Sequence, residues 1–234
     1  MGIICGADGC KRGWVAIFKD LDSGRIFWRW FETTQELFAY SEPTPRIIAI
    51  DVPIGLPERG PRACDLEARR LLGRGRASSV FPAPIRPILT AMDYPDACRI
   101  RFQVEGKKMS RQAWAIVPRI REVDAILRQD TELCTRVREV HPEVSFRLRA
   151  DHPLQHSKKS REGREERREL LEPVFGQWLR DALAERSQLA STEDDVLDAF
   201  VALWTAERIV TGASQTIPPR PPSDSFGLRM EIVA

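Results

Sequence analysis

The chain is poor in residues that build covalent frameworks or soft-metal sites. Its five cysteines, Cys5, Cys10, Cys64, Cys98 and Cys134, are odd in number, widely scattered and never spaced as a CxxC pair, and only three histidines accompany them. Such usage suggests neither a disulfide framework nor a zinc knuckle, and it suits a reducing cytoplasm. Long apolar runs are also missing, since none approaches the roughly 18 residues that a membrane-spanning helix needs. The opening MGIICGAD carries neither the basic region nor the cleavage site of a signal peptide, so the chain is expected to begin directly with structure. Nor is there a dominant charge: 36 Lys+Arg face 34 Asp+Glu, and the sum of +2 is too balanced to identify a nucleic-acid binder by itself. No internal repeat is apparent. What these absences leave is a globular chain of 234 residues, 42% hydrophobic and 30% charged, long enough for one generous α/β domain or two small ones.

The pattern along the chain begins with apolar runs at Ile3 to Ala7 and Trp14 to Phe18, separated by turn chemistry at Gly9 to Gly13, which predicts a hairpin. Arg25 to Phe31 alternates polar and apolar residues and predicts a third strand after Asp22-Ser23-Gly24. Thr33 or Thr34 is placed to cap a short helix through Tyr40. Arg46 to Ile50 is a continuous run suited to a strand buried on both faces. The loop VPIGLP then takes the chain out of the sheet, and Pro61 to Leu72 reads as a helix with proline in its first turn. A largely helical stretch follows from about 87 to 129, with a break at Gly106. Thr135 to His141 is expected to resume the sheet, ended by Pro142, and the remaining helices fall at about 161 to 176, 177 to 186 and 193 to 211. The tail IPPRPP, residues 217–222, is expected to be extended. The organisation expected is one α/β domain over 1–234, with a mainly helical insertion at about 60–135.

Asp8 ends the first predicted strand and Asp51 the fourth, where carboxylates from neighbouring strands can converge on one cation. Either alone also reads as an ordinary turn-forming aspartate. A third acidic group, Thr192-Glu193-Asp194-Asp195-Val196-Leu197-Asp198, opens the last helix. A threonine cap with acids against the helix dipole explains its first members, whereas Asp198 lies about a turn inside and gains little from the dipole. At about 100° per residue, Asp195 and Asp198 share a face with Ala199, Ala202, Thr205 and Ala206. That small-residue face lets the helix lie close to the sheet, and acids buried there call for a cation.

Taken jointly, GADGCKRGWVAI, IAIDVPIGLP, RACDLEARRLLG, SSVFPAPIR, EVHPEVSF, SKKSREG and DDVLDAFVALWTAER resemble domain-of-unknown-function family 429, a predicted ribonuclease H-like nuclease group, from about residue 3 to 212. The resemblance implies a ribonuclease H-like fold related to Holliday-junction resolvases: a mixed sheet of three antiparallel strands plus parallel strands, flanked by helices. It also implies acids from the first strand, the fourth strand and a late helix, positions matched here by Asp8, Asp51 and the Asp195/Asp198 pair. Arg12 departs from the small residue expected in the first turn.

The residues and the resemblance agree on a metal-dependent nuclease. Two Mg²⁺ or Mn²⁺ ions about 3.5–4 Å apart would activate water and stabilise the leaving 3′ oxygen of a DNA or RNA phosphodiester. Asp8, Asp51 and Asp198 are the principal ligands expected, with Asp195 as a supporting ligand or base. In Glu139-Val140-His141-Pro142-Glu143, Glu139 is a further catalytic candidate as a metal ligand, and it ranks above His141, the candidate proton shuttle. Lys11, Arg12, Lys158 and Lys159 are expected to contact phosphates. Arg62, Arg69, Arg74, Arg76 and Arg86 suggest a second basic surface, to which Ser78, Ser79 and Phe81 would add hydrogen bonds and stacking. The partner expected is nucleic acid, with no membrane. The oligomeric state is not legible. Two alternatives stay open: a catalytically silent ribonuclease H-like module that binds a nucleotide, nucleic acid or protein, and a phosphotransferase of the sugar-kinase type, for which the length leaves little room.

Overall fold

A computed structural model describes residues 2–234. In chain order its elements are β1 (Ile3–Cys10), β2 (Gly13–Asp20), β3 (Ile26–Phe31), α1 (Thr34–Ala39), β4 (Pro45–Ile50), α2 (Ala63–Leu72), α3 (Tyr94–Glu105), α4 (Arg111–Ala115), α5 (Val117–Leu127), α6 (Thr131–Arg136), β5 (Val137–Glu139), α7 (Pro142–Ala150), α8 (Arg161–Phe175), α9 (Gln177–Ala184), α10 (Glu193–Thr211), β6 (Thr216–Ile217) and β7 (Ile232–Val233). The main sheet has the order β3-β2-β1-β4-β5. β1 and β2, like β2 and β3, pair antiparallel, while β4 pairs parallel with both β1 and β5. This is the mixed α/β sheet flanked by helices expected from the sequence, and it is consistent with a ribonuclease H-like fold. Among the described residues no helix is long and apolar enough to cross a membrane.

The chain divides into two compact units, one made of 1–52, 135–215 and 233–234, the other of 53–134 and 216–232. The first holds the five-stranded sheet, and its core gathers Ile4, Val15, Ile17 and Ala49 from the strands with Phe146 and Phe200 from α7 and α10. β1 is buried along nearly its whole length because helix α10 covers one of its faces. The close fit depends on Gly6: a Cβ there would lie 2.0 Å from the Leu203 amide nitrogen and 2.5 Å from the Ala199 carbonyl oxygen. Strand side chains alternate between faces, so Asp8, two residues on, points to the same side as Gly6 and meets the same helix near its start.

Local sequence explains the helix ends. Thr33 caps α1 by accepting from the Glu36 amide at 3.1 Å. α10 opens with a reciprocal capping box, the Thr192 hydroxyl accepting from the Asp195 amide while the Asp195 carboxylate accepts from the Thr192 amide at 2.7 Å. It stops at Gly212, whose left-handed backbone suits glycine. Three boundaries differ from the sequence expectation. α2 begins at Ala63 with Pro61 outside it, because Arg62 turns inward to Asp65 and to the Ile54 carbonyl. The strand expected over 135–141 shrinks to Val137–Glu139, since Asp130 caps a helical turn just before it. Pro142 both follows that strand and starts α7, where its missing N–H costs nothing.

The second unit has its own apolar cluster around Ile85, Ile88, Ala97, Met109 and Val117. It corrects the expected second basic surface at two positions. Arg62 is buried against Asp65, and Arg86 is buried between Asp124 and Asp224. Arg69 is also engaged, donating to the Val80 carbonyl at 2.7 Å. Arginine is favoured at such points because its planar fork satisfies a carboxylate with paired hydrogen bonds. Arg74 and Phe81 remain exposed.

Candidate metal centre

Three of the acids singled out in the sequence meet in the first unit. Asp8, Asp51 and Asp198 each bring a carboxylate oxygen within 4.8 Å of the others, and among the described residues theirs is the only group of acid, His or Cys side chains so arranged. Each position has a structural cause. Asp8 lies on the helix-facing side of β1, in register with Val15 of the hairpin. Asp51 continues from β4, its amide bonded to the Ala7 carbonyl at 3.1 Å, so the parallel ladder holds it beside Asp8. Asp198 sits in the second turn of α10, immediately before the Ala199–Leu203 stretch that rests on Gly6. Asp8 and Asp198 are buried and Asp51 partly so.

Placing carboxylates so close in a dry setting penalises their charged forms. Burial, then the neighbouring Asp198 and Asp51, push the Asp8 carboxyl well above the ordinary range. Burial likewise raises Asp198 to about 6, although the adjacent Lys158 pulls the other way. Lys158 is the cation of the site. Its Nζ donates to Asp198 Oδ2 at 2.7 Å, and Asp198, followed by Asp8 and Asp51, holds it firmly in the charged form although the side chain is half-buried. The other oxygen of Asp198, Oδ1, is buried and accepts no hydrogen bond.

The remaining candidates fall around this cluster. Asp195 spends one oxygen on the capping box and stands outside the three-acid group, yet close enough for its charge to act on Asp8. Glu139 is buried at the end of β5, opposite Ile50 and so one residue from Asp51 in register, and it too stands outside the group. Lys11 and Arg12 form the exposed two-residue turn between β1 and β2. Lys159 is exposed. Lys158, read from the sequence as a phosphate contact, has its ammonium among the acids.

Sequence reasoning missed what holds Lys158 there. Ser160 caps α8, accepting from the Gly163 amide at 3.0 Å and donating to the Ser157 carbonyl at 3.0 Å. Gly163 lets that turn lie on the helix, because a Cβ would be 1.8 Å from the Ser157 carbonyl oxygen. Beneath it, Arg167 is buried, pairs with Glu143 and donates to the Gly163 carbonyl at 2.7 Å. The available signal was a glycine in the first turn of a charged helix, a residue that costs helix stability unless a neighbour needs the space.

Fold and cluster together define an α/β protein with a buried three-carboxylate centre able to hold a metal ion. The family described as "Protein of unknown function (DUF429)" matches residues 6–223, and the chain belongs to that family. Searches of curated proteins and of solved structures find no match.

Proposed function

We propose that the protein is a metal-dependent nuclease of the ribonuclease H-like superfamily, hydrolysing phosphodiester bonds of DNA or RNA. The observation that carries this reading is the convergence of Asp8, Asp51 and Asp198 at one end of a mixed sheet. The donor set fits a hard divalent cation: all the donors are carboxylate oxygens, without histidine or cysteine, and one buried oxygen of Asp198 has no hydrogen-bond partner. Such chemistry favours Mg²⁺ or Mn²⁺ over zinc. Asp8, Asp51 and Asp198 would hold the ion, with Asp195 supporting them. When bound, it would polarise a phosphoryl oxygen and make water a better nucleophile at neutral pH.

The protein's own groups do the rest. Water supplies the attacking oxygen and the P–O3′ bond breaks, so no side chain needs to bond to phosphorus. Asp8 and Asp198 lie in a buried setting where electrostatic effects are strong. Lys11 and Arg12, exposed just beyond Asp8, are suited to holding the phosphate backbone, with Lys159 as a further contact. Glu139, one residue from Asp51 in the β4–β5 register, is assigned to support the cluster.

The test uses labelled single-stranded, duplex, hybrid and branched substrates in Mg²⁺ and Mn²⁺, with Asp8→Asn and Asp51→Asn alongside. Cleavage should require the metal and fall by about 100-fold or more in either variant. Metal-dependent cleavage that survives both substitutions would overturn the site. A second reading, the silent binding module, is favoured by one observation, the Lys158 ammonium that already offsets the charge of Asp198. It would be upheld if no substrate is cut while Mn²⁺ still raises the melting temperature in an Asp8-dependent way.

A further inference from the structure

The position of Lys158 bears on how many ions the centre takes. A lysine side chain loses rotamer entropy when it is fixed, so a half-buried one that holds its ammonium on a buried carboxylate needs a backbone that places it there. Here the backbone that delivers it is fastened on both sides. Glu166 accepts from the Gln155 and His156 amides at 2.8 and 3.1 Å, ahead of the lysine. Ser160, Gly163 and Arg167 fasten the chain behind it. Arg167 is in turn neutralised by buried Glu143, so the support needs nothing from the acid cluster.

Charge and donors agree with a fixed role. Within the three-acid group, the ionised carboxylates and one ammonium leave two negative charges, which a single divalent cation neutralises, while Asp195 stands outside the group with one oxygen in the helix cap. Asp198 is already divided, Oδ2 serving Lys158 and the unpartnered Oδ1 remaining for an ion. An ammonium has three N–H donors, and one is spent on Asp198.

We infer that the centre binds one divalent cation, and that the Lys158 ammonium fills the second cationic place, countering Asp198 and offering its remaining donors to the phosphate being cleaved. This inference rests on the metal-centre reading above, and it departs from the pair of ions expected from the sequence.

The experiment is a calorimetric titration of chelator-treated full chain with Mn²⁺, without nucleic acid, backed by electron paramagnetic resonance to count bound ions. Wild type should take up a single ion. Lys158→Met should take up two. Lys158→Arg, which keeps the charge, and Lys159→Met, which alters only the exposed neighbour, should each remain at one, and circular dichroism should give all four proteins the same folded signal. Two ions in wild type, or a single ion in Lys158→Met, would overturn the role of Lys158 while leaving the metal centre intact. No Mn²⁺ uptake by wild type would overturn the metal centre itself, and this inference with it.

Discussion

Asp8 is where the stability of the protein and its proposed chemistry pull in opposite directions. Its carboxylate is buried beside Asp51 and Asp198, so without metal the ionised form is disfavoured. Asp8→Asn keeps the shape and removes the charge, and in EDTA near pH 8 it should raise the melting temperature by roughly 2–4 °C, the shift that about 1 kcal/mol produces in a chain of this size. With Mn²⁺ the order should reverse, because only wild type gains from the ion; a variant no more stable than wild type in EDTA would contradict the repulsion. The pH dependence has the same origin. Asp198 titrates at about 6 in the folded chain, above an unfolded value near 3.9, so the native state binds more protons across that interval. Stability is therefore greatest below the unfolded value and lost as pH rises through 6, by an amount on the order of 3 kcal/mol. Carboxylates held low by hydrogen bonds, such as Asp20 and Glu105, act in the opposite sense at more acid pH. Thermal melts in EDTA should thus decline between about pH 4.5 and 7 and flatten when Mn²⁺ is added.

At the scale of elements, two close approaches position the site, and both depend on a missing side chain. Gly6→Ala would drive a Cβ into the α10 backbone at Leu203. Neither strand nor helix backbone can yield cheaply, so a loss of about 3 kcal/mol or more is expected, close to 10 °C in melting temperature. Gly163→Ala pits two effects against each other. Helix propensity alone would stabilise α8 by about 1 kcal/mol, whereas the contact with the Ser157 carbonyl forces the preceding turn away. The clash should win, giving a lower melting temperature and a Mn²⁺ titration like that of Lys158→Met; a more stable variant with unchanged titration would show that the turn is not held this way. The small-residue face of α10 was legible because alanines and acids recur at helical spacing. Gly6 was not, since a glycine within a short apolar strand carries no sign of what lies above it. The strand over 135–141 was overdrawn for a related reason: β-branched residues suit strands, but a helix that starts beside Asp130 continues through Arg136 and takes up the first residues of that run.

For the whole molecule, near-neutrality limits how nucleic acid can be held. With 36 bases against 34 acids, and with Arg62, Arg86 and Arg167 committed to buried ion pairs, only local clusters remain for phosphate. If Lys11, Arg12 and Lys159 are the contacts, the logarithm of duplex affinity against that of salt should slope at roughly −3, measured by anisotropy on Asp51→Asn to prevent cleavage. Replacing Lys11 and Arg12 together by glutamine should reduce the magnitude of that slope by about 2. A slope near −8 would mean a broader basic surface than these residues provide.

The sequence by itself determined the order of the first four strands with their short helix, the last three helices, the acids at the two strand ends and the capped start of the last helix, because each is written in local periodicity and turn chemistry. It also carried the family resemblance, whose motifs run along most of the chain. Only the tertiary structure decided which of those acids meet. Asp8, Asp51 and Asp198 form one cluster, Asp195 is drawn into the helix cap, and Lys158 joins the acids from a distant turn. The physical reason is that burial and charge compensation belong to pairs brought together by folding. In the chain, Lys158 and Lys159 are adjacent and alike; in the folded protein, one ammonium answers Asp198 and the other faces solvent.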